Sequence, residues 1–596
     1  MKLVVLAILL GALPATAQDL QKAKTQAANA SRAPLITRAA LMRRPEIVDV
    51  RLSPDGRHLS FVRRGDKGLD VVVQSVASGA RKRVIAGLQR AETAWSGDGK
   101  LLWVADEQGL AVVEGVRLAA RRVLKWDVGN AQRFWSVDAR ATQHAIIREN
   151  GSTAQKRHRY LTVDARGQKR VLLETALPVR SMLLNPAGGL AYAAVLDGPR
   201  YETVVRDYAA SRPREMLRCA TLEDCRLIGY NVTQKAVWLL SQRGSDKVEL
   251  RRWRQGNARW ETVHRDPGNT ADADEVLWNS ARQDWWGISY HAARRRWHGN
   301  TPGDRALLAA LQRQAPDANL HFSASADGRT VLVQAQQADR AHDRYYLDRA
   351  GRNQLQPLFV RDIVNAARGA AMHPVTYRAR DGMQLHGYVL LPAGIPSARA
   401  PLIAWIHGGP IARMYDRYDV ALQLLVNRGY AVFVPNFRAS TGYGLKYMMA
   451  ANGDVGNGRV LADVIDGMDY LLGQGIGDRR KQAVMGMSFG GYASLLALTH
   501  HPARFRFAFA AAPPTEYGWI KQWQAEHDSE ALRAEGPPLS LQFPLLGFRY
   551  NDSAWREKMR RESPLANVQR LQAPAYIWAG THDDHVPLKS IVNYAT

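Results

Sequence analysis

The segment Gly486-Met487-Ser488-Phe489-Gly490-Gly491 offers the clearest chemistry in the chain. It follows an apolar run, Ala483-Val484-Met485, and precedes a helical pattern, Tyr492 to Leu498. Small residues around a serine at a strand-to-helix turn let the chain fold back sharply and project the hydroxyl. The adjacent helix N-terminus favours the negative charge that develops during acyl transfer. This pattern predicts Ser488 as a nucleophile. A second Gly-rich turn, His407-Gly408-Gly409-Pro410, closes the apolar strand Leu402 to Ile406. The expected oxyanion hole is the N–H of Phe489 plus one from Gly408 or Gly409. His407 reads as a residue that shapes this loop, not as a general base.

Elements that could position these residues are legible around them. Beyond about Asn365, short apolar runs such as Leu402 to Ile406, Ala431 to Val434 and Tyr576 to Ala579 alternate with helical patterns. Val460, Val464, Met468, Leu471 and Leu472 recur at helical spacing. Such alternation predicts a mostly parallel sheet covered on both faces. The preceding region repeats a turn-then-strand unit, most clearly at Ser53-Pro54-Asp55-Gly56, Ser96-Gly97-Asp98-Gly99 and Ser325-Ala326-Asp327-Gly328. With a similar unit at Asn185 and weaker copies near Asp138, Asn231 and Asn279, the steps are 43, 42, 47, 46, 48 and 46 residues. That period suits one four-stranded blade, so residues 46–360 are expected to form a β-propeller of about seven blades. The boundary to the second domain (366–596) is placed between 353 and 372, and residues 18–45 are expected to pack back on that domain.

Several longer blocks then resemble the prolyl oligopeptidase family of serine peptidases, and most closely its acylaminoacyl-peptidase-like branch. They are Asn427 to Val432, Pro435 to Gly444, Gly486 to Gly491, Ser563-Pro564 and Gly580 to Pro587, in the same order as in that family. The resemblance implies an α/β-hydrolase domain behind the β-propeller and peptide substrates. It also implies that Asp583, first of the Asp-Asp-x-Val segment, orients the catalytic histidine, with Asp584 as the alternative. Family members that grip the peptide backbone often carry Arg two residues beyond that acid, where this chain has His585. The region after Ala512-Pro513-Pro514 often shapes the specificity pocket in such proteins. Tyr517 and Trp519 are therefore either pocket wall or core.

A serine triad also needs a base. The resemblance implies a histidine about thirty residues after the acid, whereas only His585 lies beyond Asp583 and it flanks the acid itself. The expectation is a chain truncated at its C-terminus. The alternative is a degenerate protein whose propeller binds peptides without cleaving them, and a carboxylesterase is the alternative to a peptidase. His582 and His585 with two carboxylates could be read as a zinc site, but neighbours on one loop rarely close one. Neither metal nor cofactor is expected.

The remaining composition narrows the setting. Met1-Lys2, the apolar Leu3 to Leu13 and Ala15-Thr16-Ala17 form an ordered secretory leader, so residues 1–17 predict export to the periplasm or beyond. No later stretch offers 18 uninterrupted apolar residues, so no integral membrane segment is expected after leader removal. Cys219 and Cys225 are the only cysteines, and either form a disulfide or remain two structural thiols. The net charge of +26 is spread along the chain without a basic arm, which argues for a solvated surface and against a nucleic-acid partner.

Overall fold

The computed structural model describes residues 17–595 except 33, 116, 141–142, 151–156, 210–211, 257–258, 350, 361–368 and 529–535. The leader expected at residues 1–17 lies almost wholly outside the described residues.

Seven small antiparallel sheets follow one another from Ile47 to Pro357. Six have four strands each. The chemistry of the repeat is visible at the clear turns. Ser53 Oγ donates to Asp55 Oδ1 and accepts from His58 N, while the same carboxylate oxygen accepts from Arg57 N. The identical net recurs at Ser96 and Asp98, and again at Ser325 and Asp327. Each Ser-x-Asp-Gly therefore satisfies the backbone of a tight turn by local side-chain bonds. Neighbouring blades share apolar cores, such as Val71 and Val73 with Leu102 and Val104. The ring closes by packing: Leu52 and Leu59 of the first blade meet Leu332 and Leu347 of the last.

The sixth blade departs from the expected four strands. It has three, Ala273–Asn279, Asp284–His291 and Arg295–Gly299, followed by a helix at Pro302–Gln314. Thr301 and Asp304 form a capping box, and Pro302 sits in the first turn, where its missing N–H costs nothing. Leu308 and Leu311 of this helix fill the core against Trp286 and Trp297.

The sheet of the second domain has seven strands: β1 (Met372–Arg378), β2 (Gln384–Leu390), β3 (Leu402–Ile406), β4 (Ala431–Asn436), β5 (Gln482–Met487), β6 (Phe505–Ala511) and β7 (Ala575–Trp578). Their order is β1-β2-β4-β3-β5-β6-β7, antiparallel for the first two pairings and parallel from β4 onward. Helix α1 (Arg459–Gly473) buries Val460, Val464, Met468 and Leu471 against it. Helix α2 (Phe489–His500) is buried along nearly its whole length, which its lack of an exposed polar face dictates. An N-terminal helix, Ala17–Asn29, adds Leu20 and Ala23 to the same core beside Val375 and Leu385.

The two halves meet through the loops that follow β3 and β4. Arg413 donates to the carbonyls of His291 and Ala292, and Arg294 pairs with buried Asp416 at 3.0 Å. Leu445 N donates to Asp246 O, and Lys247 Nζ to Tyr443 O. Among the described residues no helix is long and apolar enough to cross a membrane.

Candidate active site

Ser488 sits between β5 and α2 with φ 55° and ψ −121°. A non-glycine residue held there is strained by about 1–3 kcal/mol, and such strain persists only where surrounding structure dictates it. The dictating contacts are identifiable. Ser488 N donates to Ala511 O of β6 at 2.8 Å, and Tyr492 N to Ser488 O at 3.0 Å. A Cβ on Gly490 would run into the Ile406 carbonyl at the end of β3. One on Gly486 would lie 2.5 Å from both Ile406 O and the Gly490 carbonyl carbon. The glycines flanking Ser488 are thus fixed by the close approach of β3, and the serine projects from the sheet end.

The turn expected to bind the oxyanion lies alongside. A Cβ on Gly408 would be 3.5 Å from Ser488 Cβ and 3.2 Å from Met487 O. His407 Nδ1 donates to Gly408 O at 2.7 Å, since a carbonyl can only accept. Its Nε2 lies 3.0 Å from Ser440 Oγ, whose hydroxyl proton also has Phe437 O within reach. Because the peptide plane is trans, turning the Gly408 carbonyl toward His407 points the Gly409 N–H the other way. His407 is buried and stacked 4.2 Å over Phe437, and burial pushes its pKa down to about 4. With both ring nitrogens engaged, His407 fixes the loop.

The segment that holds His407 is in turn anchored by charge. Arg438 is buried between Asp463 of α1 and Asp381, with contacts of 2.7 Å and 2.6 Å. Its backbone N–H also donates to Asp463. Sequence reasoning placed Arg438 in a family block but gave it no role. Its partners lie 25 and 57 residues away.

Asp583 occupies the loop after β7 and is half-buried, with Oδ1 accepting from His585 N at 2.8 Å and Val586 N at 2.9 Å. Asp584 and His585 are exposed. Gln524 pins this loop by donating to His585 O, and accepts from Lys521 Nζ at 2.9 Å. Lys521 is buried over the rings of Tyr517, Phe543 and Phe548, and burial lowers its pKa to about 7. Tyr517 is a core residue, packed against Phe489 and Tyr492. Trp519 is half-buried and stacks on Trp523. Neither Gln524 nor Lys521 carried a signal in the sequence, because only folding brings Gln524 to the His585 carbonyl and Lys521 behind it. Among the described residues no histidine is hydrogen-bonded to the Ser488 hydroxyl.

Cys219 and Cys225 are joined as a disulfide with Cα atoms 6.5 Å apart, linking the last strand of the fourth blade to the first of the fifth.

Residues 416–596 match the prolyl oligopeptidase family. Over 592 residues the chain is 26% identical to dipeptidyl aminopeptidase BIII of Pseudoxanthomonas mexicana, covering 96% of this chain and 84% of that protein. Its fold is similar to a puromycin-hydrolyzing peptidase of Mycobacterium tuberculosis, with TM-score 0.69 and 17% identity over 95% of this chain and 90% of the other. The acylaminoacyl peptidase of Pyrococcus horikoshii gives TM-score 0.68 and 14% identity over 94% and 90%. These likenesses establish the architecture as a seven-bladed β-propeller joined to an α/β-hydrolase domain.

Proposed function

Because the chain belongs, through residues 416–596, to the prolyl oligopeptidase family of serine peptidases, we propose that it hydrolyses short peptides through an acyl-enzyme on Ser488. The observation that carries this reading is the strained Ser488 at the end of β5, with the Gly408 turn so near that a Cβ there would lie 3.5 Å from the serine Cβ. In the proposed reaction the hydroxyl oxygen attacks the scissile carbonyl while its proton passes to a base. The carbonyl oxygen gains negative charge and is met by the N–H of Phe489, first in α2, and by that of Gly408 or Gly409. Collapse of the tetrahedral intermediate expels the amine, and water then releases the acyl group by the same route.

Asp583 takes the role of the acid that orients an imidazole. Its Oδ1 is committed to the loop backbone, which leaves Oδ2 for that purpose. The base is a role that His407 cannot fill, since both its nitrogens are engaged. Export is part of the proposal and rests on the leader pattern of residues 1–17; N-terminal sequencing of the mature protein that begins inside that segment would refute it.

Labelling with a fluorophosphonate probe tests the nucleophile. Ser488→Ala is expected to abolish labelling and nearly all peptide hydrolysis. Undiminished labelling of the variant would place the nucleophile elsewhere. Comparing short peptides with simple esters separates this reading from an esterase.

A further inference from the structure

Where the propeller meets the hydrolase domain lies a cavity of about 340 Å³. Its walls come from the fifth and sixth blades on one side and from Arg413, Tyr415, Thr441, Gly442 and Gly444 on the other. Three carboxylates line it, and each is already answered. Asp224 pairs with Arg226, Asp274 with Arg295, and Asp272 accepts the backbone N–H groups of Val248 and Gly444.

The guanidinium of Arg413 is different. It is sandwiched between the rings of Tyr415 and Tyr443, at 4.6 and 4.1 Å, and bonded to two carbonyls and the Tyr443 hydroxyl. It has no carboxylate partner among these contacts, and its buried Nε has no hydrogen-bond partner. Beside it, His291 is only 6% exposed, its ring 4.8 Å from Tyr415, with neither ring nitrogen hydrogen-bonded. Arg295 and Arg296 add positive potential at this ring. A buried cation with spare donors, next to an unbonded imidazole in a cavity, is costly unless an anion completes it.

We propose that this cavity binds a carboxylate, held by Arg413 and His291. A planar, always-charged guanidinium suits that group, and a neutral imidazole supplies one further N–H. The carboxylate is either the C-terminus of a short peptide or a separate small carboxylic acid. The first source rests on the peptidase reading. It is favoured by connectivity: Arg413 lies on the loop that leaves Gly408, and Thr441 follows the Ser440 that contacts His407.

The test uses the full chain carrying Ser488→Ala, so that ligands are bound and not cleaved. Calorimetric titration compares the tripeptide Ala-Ala-Phe as free acid with its C-terminal amide, and succinate is titrated separately. The expected result is binding of the acid at least about tenfold tighter than the amide, as one charge-assisted pair provides. Adding His291→Phe keeps a ring against Tyr415 and leaves the main-chain carbonyl that receives Arg413, and should shrink that ratio below about twofold. Arg413→Gln should do the same. Succinate that binds the parent but not His291→Phe, with acid and amide tripeptides equal, assigns the site to a separate acid and supports the proposal. Equal affinities together with no succinate binding overturn it, whatever the variants do. So does a preference for acid that survives both substitutions. Fluorophosphonate labelling of the unsubstituted serine does not depend on the cavity, so failure here leaves the assignment of Ser488 standing.

Discussion

Asp463→Asn tests whether the buried Arg438 cluster sustains the geometry beside Ser488. Asp463 is fully buried and receives the Arg438 backbone N–H as well as Nε and Nη2, at 2.7 to 3.0 Å. Asparagine preserves the shape but removes the charge and turns an N–H₂ toward a donor-rich guanidinium. Breaking one side of a buried pair costs about 3–5 kcal/mol. Asp381 still contacts Arg438 through two bonds, though its side chain is 43% exposed, so about 3 kcal/mol is the better expectation. For a domain of about 225 residues, near 2.1 cal/mol/K per residue, that corresponds to a fall in Tm of about 6 °C.

Function should follow stability in this variant. Arg438 anchors the turn carrying Ser440, Ser440 contacts His407, and His407 holds the Gly408 carbonyl. Loosening that chain displaces the oxyanion donors, so the fluorophosphonate labelling rate should fall roughly tenfold, below the loss from deleting a donor outright. Differential scanning fluorimetry and labelling kinetics measure the two effects. Asp381→Asn is the control, expected to cost only about 0.5–1 kcal/mol because its pair is partly solvated. An Asp463→Asn protein within 1 °C of the parent, or an equal loss from Asp381→Asn, would refute the argument.

Other consequences are open to direct measurement. Gly490→Ala should drive a Cβ into the Ile406 carbonyl and abolish fluorophosphonate labelling along with most soluble yield; normal labelling would mean that β3 and α2 are less closely packed. His407, buried, and His386, half-buried, have pKa values pushed down to about 4 by desolvation, below the unfolded value near 6.5. The unfolded chain therefore binds more protons in that window, and stability that is full above pH 6.5 should be lost as pH falls toward 4, by up to about 3 kcal/mol per histidine. Urea denaturation at pH 7.5 and 4.5 reads this directly, and a flat profile would contradict it. Replacing Cys219 and Cys225 by serine should cost only about 2 kcal/mol, because the bond closes a short loop.

Features legible in the sequence were those whose physics is local. The Ser-x-Asp-Gly turns announce themselves because serine and aspartate satisfy the turn's own backbone within five residues. The turn at Ser488 is readable because its small residues stand directly between an apolar strand and a helical run. The helix in the sixth blade was also locally encoded, by Thr301-Pro302-Gly303-Asp304, yet the near-constant blade period masked it. What sequence could not convey was pairing across distance. Arg438 and Asp463, Gln524 and His585, or Arg413 and His291 are joined by tertiary packing, and nothing in their spacing marks them. Tyr517 illustrates the same limit, since an aromatic residue after β6 could face a pocket or the core until the neighbouring helices fix its surroundings.

One stretch joins both kinds of information. Thr441-Gly442-Tyr443-Gly444 sits in a block resembling the peptidase family, yet its residues are dictated by the seam between the domains. A Cβ on Gly442 would lie 2.6 Å from Arg413 Nη1, and one on Gly444 would lie 2.6 Å from Asp246 Oδ2. Both backbones are left-handed, with φ of 83° and 96°, which disfavours any other residue. Tyr443 then covers the guanidinium, and its hydroxyl oxygen accepts from both Arg413 Nη2 and Asn436 Nδ2 at the end of β4. The loop after Gly408 thus carries the interdomain arginine, and the loop after β4 carries both the support of His407 and the glycines that admit the propeller. The contact between the domains and the support of His407 are consequently built from the same two loops.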